Sequence, residues 1–472
     1  MTAALVVVLM VSFGFVTGFG VAAASEIAAV EGSVFHTDVQ SVFVGTTFNP
    51  SQEPPGSCGV ISCYTPQEIQ DGYNYGPAYK AVGGYANAGA GQTIVIIDAY
   101  GDPSVASNLA TFDSTFGLPS ANLNVICPAG CPTLDLSGDS AQSLDEIGWT
   151  GEITLDTQYS HAMAPAATID LVVAHSDSNS DILVAEQYAL QHHLGQIWSQ
   201  SFGEPECDFT PGASSPWFAA NNLVYQEAAA EGITMFASAG DLGATLECPT
   251  NSAAYPADNP LEIAVGGTFL QLSFAKGATV ASPLVSAPAT YGHETTWNDF
   301  ENATLAADGL IFGVTGGAPS QYFAAPGYQL INRITPYTCA GDTPSTCSAG
   351  TPYHSFGRVD TDVAYDAGVD GGVLAYYDVT SSAMAPGYYI FGGTSAGSPQ
   401  WAAITAIADQ LHHGTAGNFA PLLYFLGSTG VLHDIRVGSN AFEPGTGFEA
   451  TRGYDAPTGM GTPNVGNLIW FI

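Results

Sequence analysis

Short apolar runs recur along the chain and end at turn residues, and longer stretches with helical periodicity separate them. The apolar runs are TIVIID (93–98), TIDLVVA (168–174), QIWSQSFG (196–203), ITMFASAGD (233–241) and LEIAVGGT (261–268). Two intervening stretches, SLDEIGWTGEITLDTQYSHAMA (143–164) and DILVAEQYALQHHL (181–194), are typical of helices. This alternation predicts an α/β domain with a mostly parallel central sheet and helices on both faces. Functional groups in such sheets collect at the carboxyl ends of the strands.

The N-terminal segment differs from this pattern. Residues 3–24 are uncharged and mostly apolar, and they end in three alanines, so residues 1–24 are interpreted as a signal peptide. An uncleaved membrane anchor is the alternative, because no Lys or Arg precedes the run and ~20 apolar residues can span a bilayer. The polar, turn-rich residues 25–65 are expected to form an arm or linker, and residues 66–472 the main domain.

The charge balance is strongly acidic, with 6 Lys and Arg against 43 Asp and Glu among 472 residues. With every carboxyl group protonated, those 6 residues and 10 His would leave a charge of only +16. Self-repulsion of positive charge drives acid unfolding, so this composition favours a protein that works at low pH. The scarcity of basic residues argues against nucleic acid and anionic membranes as partners.

Eight cysteines lie in pairs that are adjacent along the sequence. Disulfides are expected for an even count in an exported chain, although eight cysteines allow 105 connectivities. Zinc binding is the alternative, and the absence of any CxxC motif argues against it. The pairs are Cys58/Cys63, Cys127/Cys131, Cys207/Cys248 and Cys339/Cys347.

The string GGTSAGSP (392–399) places Ser395 between small residues, directly before a predicted helix. A helix N-terminus supplies positive potential, which favours an attacking alkoxide and a developing oxyanion. Taken alone, the string fits the nucleophile elbow of α/β-hydrolases, the serine of subtilisin-like folds, or an ordinary glycine-rich turn.

Three acids are candidates for acting with this serine. Glu152 and Asp156 are four residues apart in a helical pattern, which stacks them on one face as a coupled titrating pair. The alternative for these two is a solvated acidic face. Asp241 ends a strand-like run beside glycines, where it is either a turn residue or a group projecting into a site.

These residues and their surroundings resemble the sedolisins, the serine-carboxyl peptidases, over about residues 64–472. That resemblance implies a subtilisin-like fold and a serine-type endopeptidase. It also implies that Ser395 is the nucleophile and that Glu152, oriented by Asp156, is the general base and acid, with Asp241 as the oxyanion-hole acid. The matching strings are CYTPQEIQDGY, GQTIVIIDAYGDP, GEITLDTQ, SQSFGEPE, SAGDLGA, AYPADNPLEIAVGGT, VTGGAPSQYFAAPGYQ, RVDTDVAYDA, GGTSAGSPQWAA and GYDAPTGMGTPN.

Acid–base chemistry agrees with these roles. A carboxylate serves as a base in acid, where histidine is charged, and a carboxyl group donates a hydrogen bond only while protonated. Asp98 occupies the place of a subtilisin-type triad aspartate and is interpreted as structural or as supporting the triad.

Two other functions stay open from the sequence. One is an inactive binding protein on a peptidase fold. The other is a GxSxG carboxylesterase, which requires an acid and then a histidine after the serine. Its candidate partners for Ser395 are Asp409, His412, His413 and His433.

The resemblance also implies one structural calcium ion in a C-terminal loop. Asp434 and Asp455 would supply carboxylates, and Ile435, Thr451 and Gly453 would supply backbone carbonyls, which are the hard oxygen ligands that calcium prefers. The loop is expected to direct the side chain of Arg452 outward.

The remaining expectations concern context. A secreted or N-terminally anchored monomer acting on protein or peptide substrates is expected. The sedolisins typically carry a large N-terminal propeptide, whereas only residues 25–65 separate the apolar leader from the matching region here. Three explanations for the missing propeptide stay open. The chain is truncated, it folds without a propeptide, or the propeptide is supplied as a separate chain.

Overall fold

A computed structural model describes residues 34–37, 39–50, 53–58, 61–209, 216–275, 289–302, 305, 313–339, 347–379, 381, 384–427, 429–442 and 445–472. The segment interpreted as a signal peptide or anchor, residues 1–24, lies outside the described residues. The predicted arm, residues 25–65, is described only from Val34 onward and with gaps. None of the described helices is both long enough and apolar enough to span a bilayer.

Strands and helices alternate along most of the described chain. The strands are β1 Gln40–Gly45, β2 Cys63–Tyr64, β3 Thr93–Ala99, β4 Asn122–Ile126, β5 Thr168–Ala174, β6 Ile197–Gln200, β7 Glu204–Pro205, β8 Thr234–Ser238, β9 Ala254–Tyr255, β10 Ile263–Phe274, β11 Ala289–Thr296, β12 Pro319–Ala324, β13 Thr335–Cys339, β14 Cys347–Ala349, β15 Gly357–Val359, β16 Val363–Asp366, β17 Gly372–Tyr377, β18 Gly387–Gly392, β19 Leu432–His433, β20 Gly445–Glu449 and β21 Thr462–Pro463. The helices are α1 Pro66–Gly72, α2 Gly76–Ala81, α3 Val105–Phe116, α4 Ala141–Met163, α5 Asn179–Gln191, α6 Pro216–Ala230, α7 Gly327–Leu330, α8 Gly397–His412, α9 Ala420–Leu426 and α10 Val465–Leu468.

The central sheet contains eight of the described strands, in the order β11-β10-β8-β6-β3-β5-β4, with β16 also paired to β10. Every pairing is parallel except the antiparallel pairing of β11 with β10. All five predicted apolar runs form strands of this sheet. The predicted α/β fold with a mostly parallel sheet is confirmed.

Helices cover both faces of the sheet, as the side chains of β3 show. Ile94 and Ile96 pack into a core shared with α4 and α8. Val95 and Ile97 face the other way, into a core shared with α5 and α6. Alternate residues of a strand point to opposite faces, so this run of β-branched residues is buried on both sides.

A second sheet has the order β1-β18-β17-β2 and includes part of the predicted arm. Strand β1 pairs antiparallel with β18, which in turn pairs antiparallel with β17. The chain continues from β18 into the predicted serine motif. The arm is therefore hydrogen-bonded to the strand that precedes Ser395.

Four disulfides join the cysteines in the pairs noted from the sequence, and the described residues include no free cysteine. Three of them close loops with sequence separations of 4 to 8 residues. Cys207–Cys248 spans 41 residues. The zinc alternative for these cysteines is wrong.

Candidate active site

A long buried helix carries two of the predicted acids. Helix α4 begins after Ser140, whose hydroxyl accepts a hydrogen bond from the backbone N–H of Ser143 in a capping box. Glu152 and Asp156 lie one turn apart on α4, and neither is exposed to solvent. The alternative of a solvated acidic face is therefore wrong.

Burial dominates the acid–base properties of this pair. It raises the pKa of Glu152 well above that of a free glutamate, and the charge of Asp156 raises it further. The hydrogen bond from the Thr37 hydroxyl and the nearby Ser395 hydroxyl lower this pKa in part. Burial also raises the pKa of Asp156, and the charge of Asp98 adds to the effect. Carboxyl groups packed this closely share protons and titrate together.

Ser395 lies at a tight turn between β18 and α8. Gly393 has a φ of 103°, and a Cβ atom there would lie 2.4 Å from Oδ2 of Asp241, so this position requires glycine. The N-terminus of α8 directs positive potential towards the serine. The Ser395 hydroxyl donates to the carbonyl of Ser201 at 3.4 Å. It also lies close enough to Glu152 to lower the pKa of that acid.

Asp241 lies beside the serine turn, beyond the end of β8. Its Oδ1 atom accepts hydrogen bonds from the backbone N–H of Thr394 at 2.8 Å and from the Thr394 hydroxyl at 2.7 Å. The structure thus brings Ser395, Glu152, Asp156 and Asp241 into one buried cluster. This grouping follows the sequence prediction, and the catalytic roles of the four residues stay predictions.

Two further groups belong to the same cluster. The hydroxyl of Ser201, which directly follows β6, donates to Oδ1 of Asp156 at 3.0 Å. Asp98 lies within β3, fully buried, and its carboxylate oxygens accept no hydrogen bond from the described residues. Ser201 was not predicted from the sequence as a site residue, although it lies near the carboxyl end of a predicted strand, where functional groups of a parallel sheet collect.

A cleft of about 510 Å³ opens beside this cluster. Most of its lining consists of small residues and acidic side chains, together with a few larger apolar side chains. The lining residues are His36, Ser201, Phe202, Gly203, Glu204, Pro205, Cys207, Asp208, Ser238, Gly240, Asp241, Leu242, Leu246, Glu247, Ala254, Thr394 and Ser395.

The N-terminal arm enters this cleft. The Thr37 hydroxyl donates a hydrogen bond to Oε2 of Glu152. His36 and Gly203 exchange two backbone hydrogen bonds, of 3.0 and 3.1 Å, in an antiparallel bridge. The pairing of His36 with Gly203 was not predicted from the sequence, because it uses backbone atoms that every residue carries.

The histidines required by the esterase alternative lie elsewhere. His412, near the end of α8, bonds to the backbone carbonyl of Ile469. His433 stacks on Tyr291 with ring centroids 3.8 Å apart. Neither of them lines the cleft that contains Ser395, and nor does His413, which is exposed at the end of α8. This placement gives the serine no histidine partner from that set.

The predicted calcium ligands converge on one C-terminal loop. The backbone N–H of Gly453 donates to Asp434, and that of Thr451 donates to Asp455, each at 2.9 Å. Burial raises the pKa of Asp455 to about 8, and the charge of Asp434 contributes, so the two carboxylates are close. Among the described residues, no cluster of three or more His, Cys, Asp or Glu forms a metal site.

The two acids supply carboxylate oxygens, which are hard ligands that suit Ca²⁺, and the carbonyls of Ile435, Thr451 and Gly453 stay predicted ligands. The side chain of Arg436 competes for one of these acids, because it forms an ion pair with Asp434 at 2.6 Å. Arg452 is exposed, in agreement with the expectation that it points outward.

A sequence model of the Subtilase family matches residues 147–419, which contain all four predicted catalytic residues. The chain belongs to this family. Its similarities lie with the sedolisins, which confirms the resemblance identified from the sequence motifs.

Two curated relatives and one solved structure illustrate this similarity. Kumamolisin of Bacillus sp. (strain MN-32) is 28% identical over 85% of this chain and 62% of its own length. Sedolisin of Pseudomonas sp. (strain 101) is 28% identical over 82% of this chain and 59% of its own length. The solved structure of Pseudomonas sedolisin, complexed with two molecules of pseudo-iodotyrostatin, has 25% identity and a TM-score of 0.64. It covers 88% of this chain and 99% of the solved one. The chain thus spans about three-fifths of the length of the two curated relatives.

Proposed function

We propose that the protein is an acid-active serine-carboxyl endopeptidase that hydrolyses peptide bonds through a Ser395–Glu152–Asp156 triad. The observation that supports this function best is the placement of a fully buried carboxyl group, Glu152, near the Ser395 hydroxyl at the edge of a peptide-sized cleft. The described residues place no histidine from the esterase set at this serine.

In the proposed mechanism, Ser395 Oγ attacks the peptide carbonyl carbon while Glu152 takes the hydroxyl proton. Asp156 shares protons with Glu152 and is itself held by Ser201. Asp241, in its protonated form, donates a hydrogen bond to the oxyanion of the tetrahedral intermediate. Glu152 then gives its proton to the leaving amine, and a water molecule hydrolyses the acyl-enzyme with Glu152 again acting as base and acid.

The pH profile of peptide hydrolysis tests this mechanism. Glu152 must be ionised to accept a proton, so its raised pKa sets the acid limb of the profile. The proposed role of Asp241 as a hydrogen-bond donor requires its protonated carboxyl group, so we expect the rate to fall again at higher pH. We therefore expect kcat/KM on casein or haemoglobin to be bell-shaped, with its maximum on the acid side of neutrality.

Ser395→Ala is the control in this assay and should abolish turnover at every pH. Activity that rises through neutral pH into the alkaline range would contradict the carboxyl-based mechanism, since it would indicate an imidazole base.

We infer that the substrates are proteins or peptides outside the cell and that the protein acts as a monomer. Four disulfides support an oxidising compartment. A net charge of −37 supports neither nucleic acid nor an anionic membrane as a partner.

An inactive peptide-binding protein is the second candidate. The hydrogen bond from Thr37 to Glu152 favours this candidate, because the arm then engages the carboxyl group that is proposed as the catalytic base. Binding of protein substrates without turnover at any pH would distinguish this candidate from the peptidase.

We also propose that Asp434, Ile435, Thr451, Gly453 and Asp455 bind one structural calcium ion. An ion that binds only the folded chain stabilises it by about 2.7 kcal/mol at one hundred times its Kd. The melting temperature should therefore rise by several degrees with calcium relative to EDTA.

Asp434→Asn removes one carboxylate from this loop and should make the melting temperature insensitive to calcium. Identical melting curves of the unsubstituted protein with calcium and with EDTA would remove the metal from this proposal.

A further inference from the structure

The side chain of Phe35 fills a pocket beside the cleft. It is fully buried although it belongs to the arm. Three aromatic rings, here called the aromatic cage, surround it: Phe202, Trp217 and Tyr255. Their ring centroids lie 4.8, 5.8 and 6.4 Å from that of Phe35. These distances are those of favourable aromatic pairs.

The cage is rigid for reasons independent of the arm. The indole N–H of Trp217 donates to the backbone carbonyl of Asn179. The hydroxyl of Tyr255 donates to the side chain of Asn221. These bonds hold two of the three walls in place, so the pocket is preorganised for an occupant. The third wall, Phe202, also lines the cleft that contains Ser395.

The arm lies in the cleft as an extended peptide would. The N–H of Phe35 donates to the carbonyl of Asp177 at 3.0 Å, and His36 pairs with Gly203. Main-chain hydrogen bonds of this kind hold any sequence, and pockets for alternate side chains supply the selectivity. Phe35 and Thr37 are two residues apart, so they share a face, and Thr37 reaches Glu152.

We propose that the aromatic cage is a specificity subsite, which selects peptide substrates with an aromatic side chain two residues before the residue that contacts Glu152. Phe35 occupies this subsite in the structure as an internal substitute for the substrate side chain. This inference rests on the proposed peptidase function and adds to it the class of peptide that is cleaved.

The test uses two internally quenched fluorescent peptides with the arm sequence VFHTDVQS, one with its phenylalanine and one with alanine in its place. The enzyme is the full chain with Phe35→Ala, which vacates the cage. Burial of one phenyl ring should make kcat/KM for the phenylalanine peptide about 10- to 100-fold higher than for the alanine peptide.

Adding Trp217→Ala should bring this ratio close to one. Trp470→Ala, which removes an exposed tryptophan outside the cage, should leave it unchanged. The ratio compares two peptides on one preparation, so it does not depend on the fraction of protein that is folded. If the Phe35→Ala protein, with Trp217 still in place, cleaves both peptides with nearly equal kcat/KM, the subsite is overturned. The peptidase function would stand, because cleavage itself is observed.

Absence of cleavage of any peptide or protein would instead count against the proposed function. Fluorescence anisotropy with dye-labelled forms of the two peptides then tests the subsite directly. Binding of the phenylalanine peptide at least tenfold tighter to the Phe35→Ala protein, lost on adding Trp217→Ala, would support the subsite. Equal binding of the two peptides would overturn it.

Discussion

Replacing Glu152 by glutamine is expected to lower kcat by about 100- to 10,000-fold, the usual contribution of a positioned general base. Glutamine keeps the size of the side chain and can still accept a hydrogen bond from Thr37, but it cannot take the proton of Ser395. The fold should persist, because a neutral amide replaces a group whose burial already favours its neutral form. Steady-state kinetics at acid pH, with melting curves alongside, measure both effects.

Glu146→Gln is the matched control for this experiment. Glu146 lies on the same helix and bonds to the side chain of Gln142 and the backbone of Asp135, away from the proposed triad. Its replacement should leave kcat unchanged. Nearly normal turnover by Glu152→Gln would refute Glu152 as the base.

The protein is expected to be most stable in acid and to lose stability as the pH rises towards 8. Burial raises the pKa of Glu186 to about 8, and of Asp102 and Asp360 to about 7. These groups keep their protons in the folded chain, whereas the unfolded chain releases them near pH 4. Their stabilisation is therefore complete below about pH 4 and is lost as the pH rises through the folded-state pKa values.

The expected effect is large. A pKa near 8 for Glu186 in the folded chain, against 4.5 in the unfolded chain, corresponds to an order of magnitude of 5 kcal/mol. The melting temperature at pH 8 should fall below that at pH 4 by on the order of 10 °C. Thermal unfolding between these pH values measures the difference.

Glu186→Gln isolates one group in this effect. Glu186 accepts hydrogen bonds from Tyr225 at 2.7 Å and from Asn221, and glutamine is neutral at every pH. The variant should lose less stability between pH 4 and pH 8 than the unsubstituted chain. Glu227→Gln, at an exposed position of α6, should change nothing. Equal or higher stability of the unsubstituted protein at pH 8 would contradict the argument.

Five strands of the central sheet, β3, β5, β6, β8 and β10, could be predicted because they are apolar runs that end at turn residues. Strand β10 shows the limit of that signal, since the predicted run stops at Thr268 but the strand continues to Phe274. The extension is held by antiparallel pairing with β11, the next strand along the chain. An apolar run in the sequence indicates which residues are buried. The length of the strand also depends on how far the neighbouring strand pairs with it.

In the candidate site, too, local spacing could be predicted from the sequence, whereas contacts between separate elements could not. The spacing of Glu152 and Asp156 predicted their stacking on one helix face, but their complete burial depends on the elements packed around α4. The contacts of Ser201 with Asp156 and Ser395 arise only where strand ends meet the serine turn. The arm contacts Gly203 through backbone atoms, which every residue carries and no side-chain pattern reveals.

The disulfides described above have a chemical consequence at the proposed working pH. Exchange between thiols and disulfides requires a thiolate as the attacking group, and a free cysteine has a pKa of about 8.5. At pH 4, only about one thiol in 30,000 is ionised, so exchange nearly stops. The Cys207–Cys248 disulfide must therefore form correctly before the protein is exposed to acid, and the low rate of exchange in acid then preserves it.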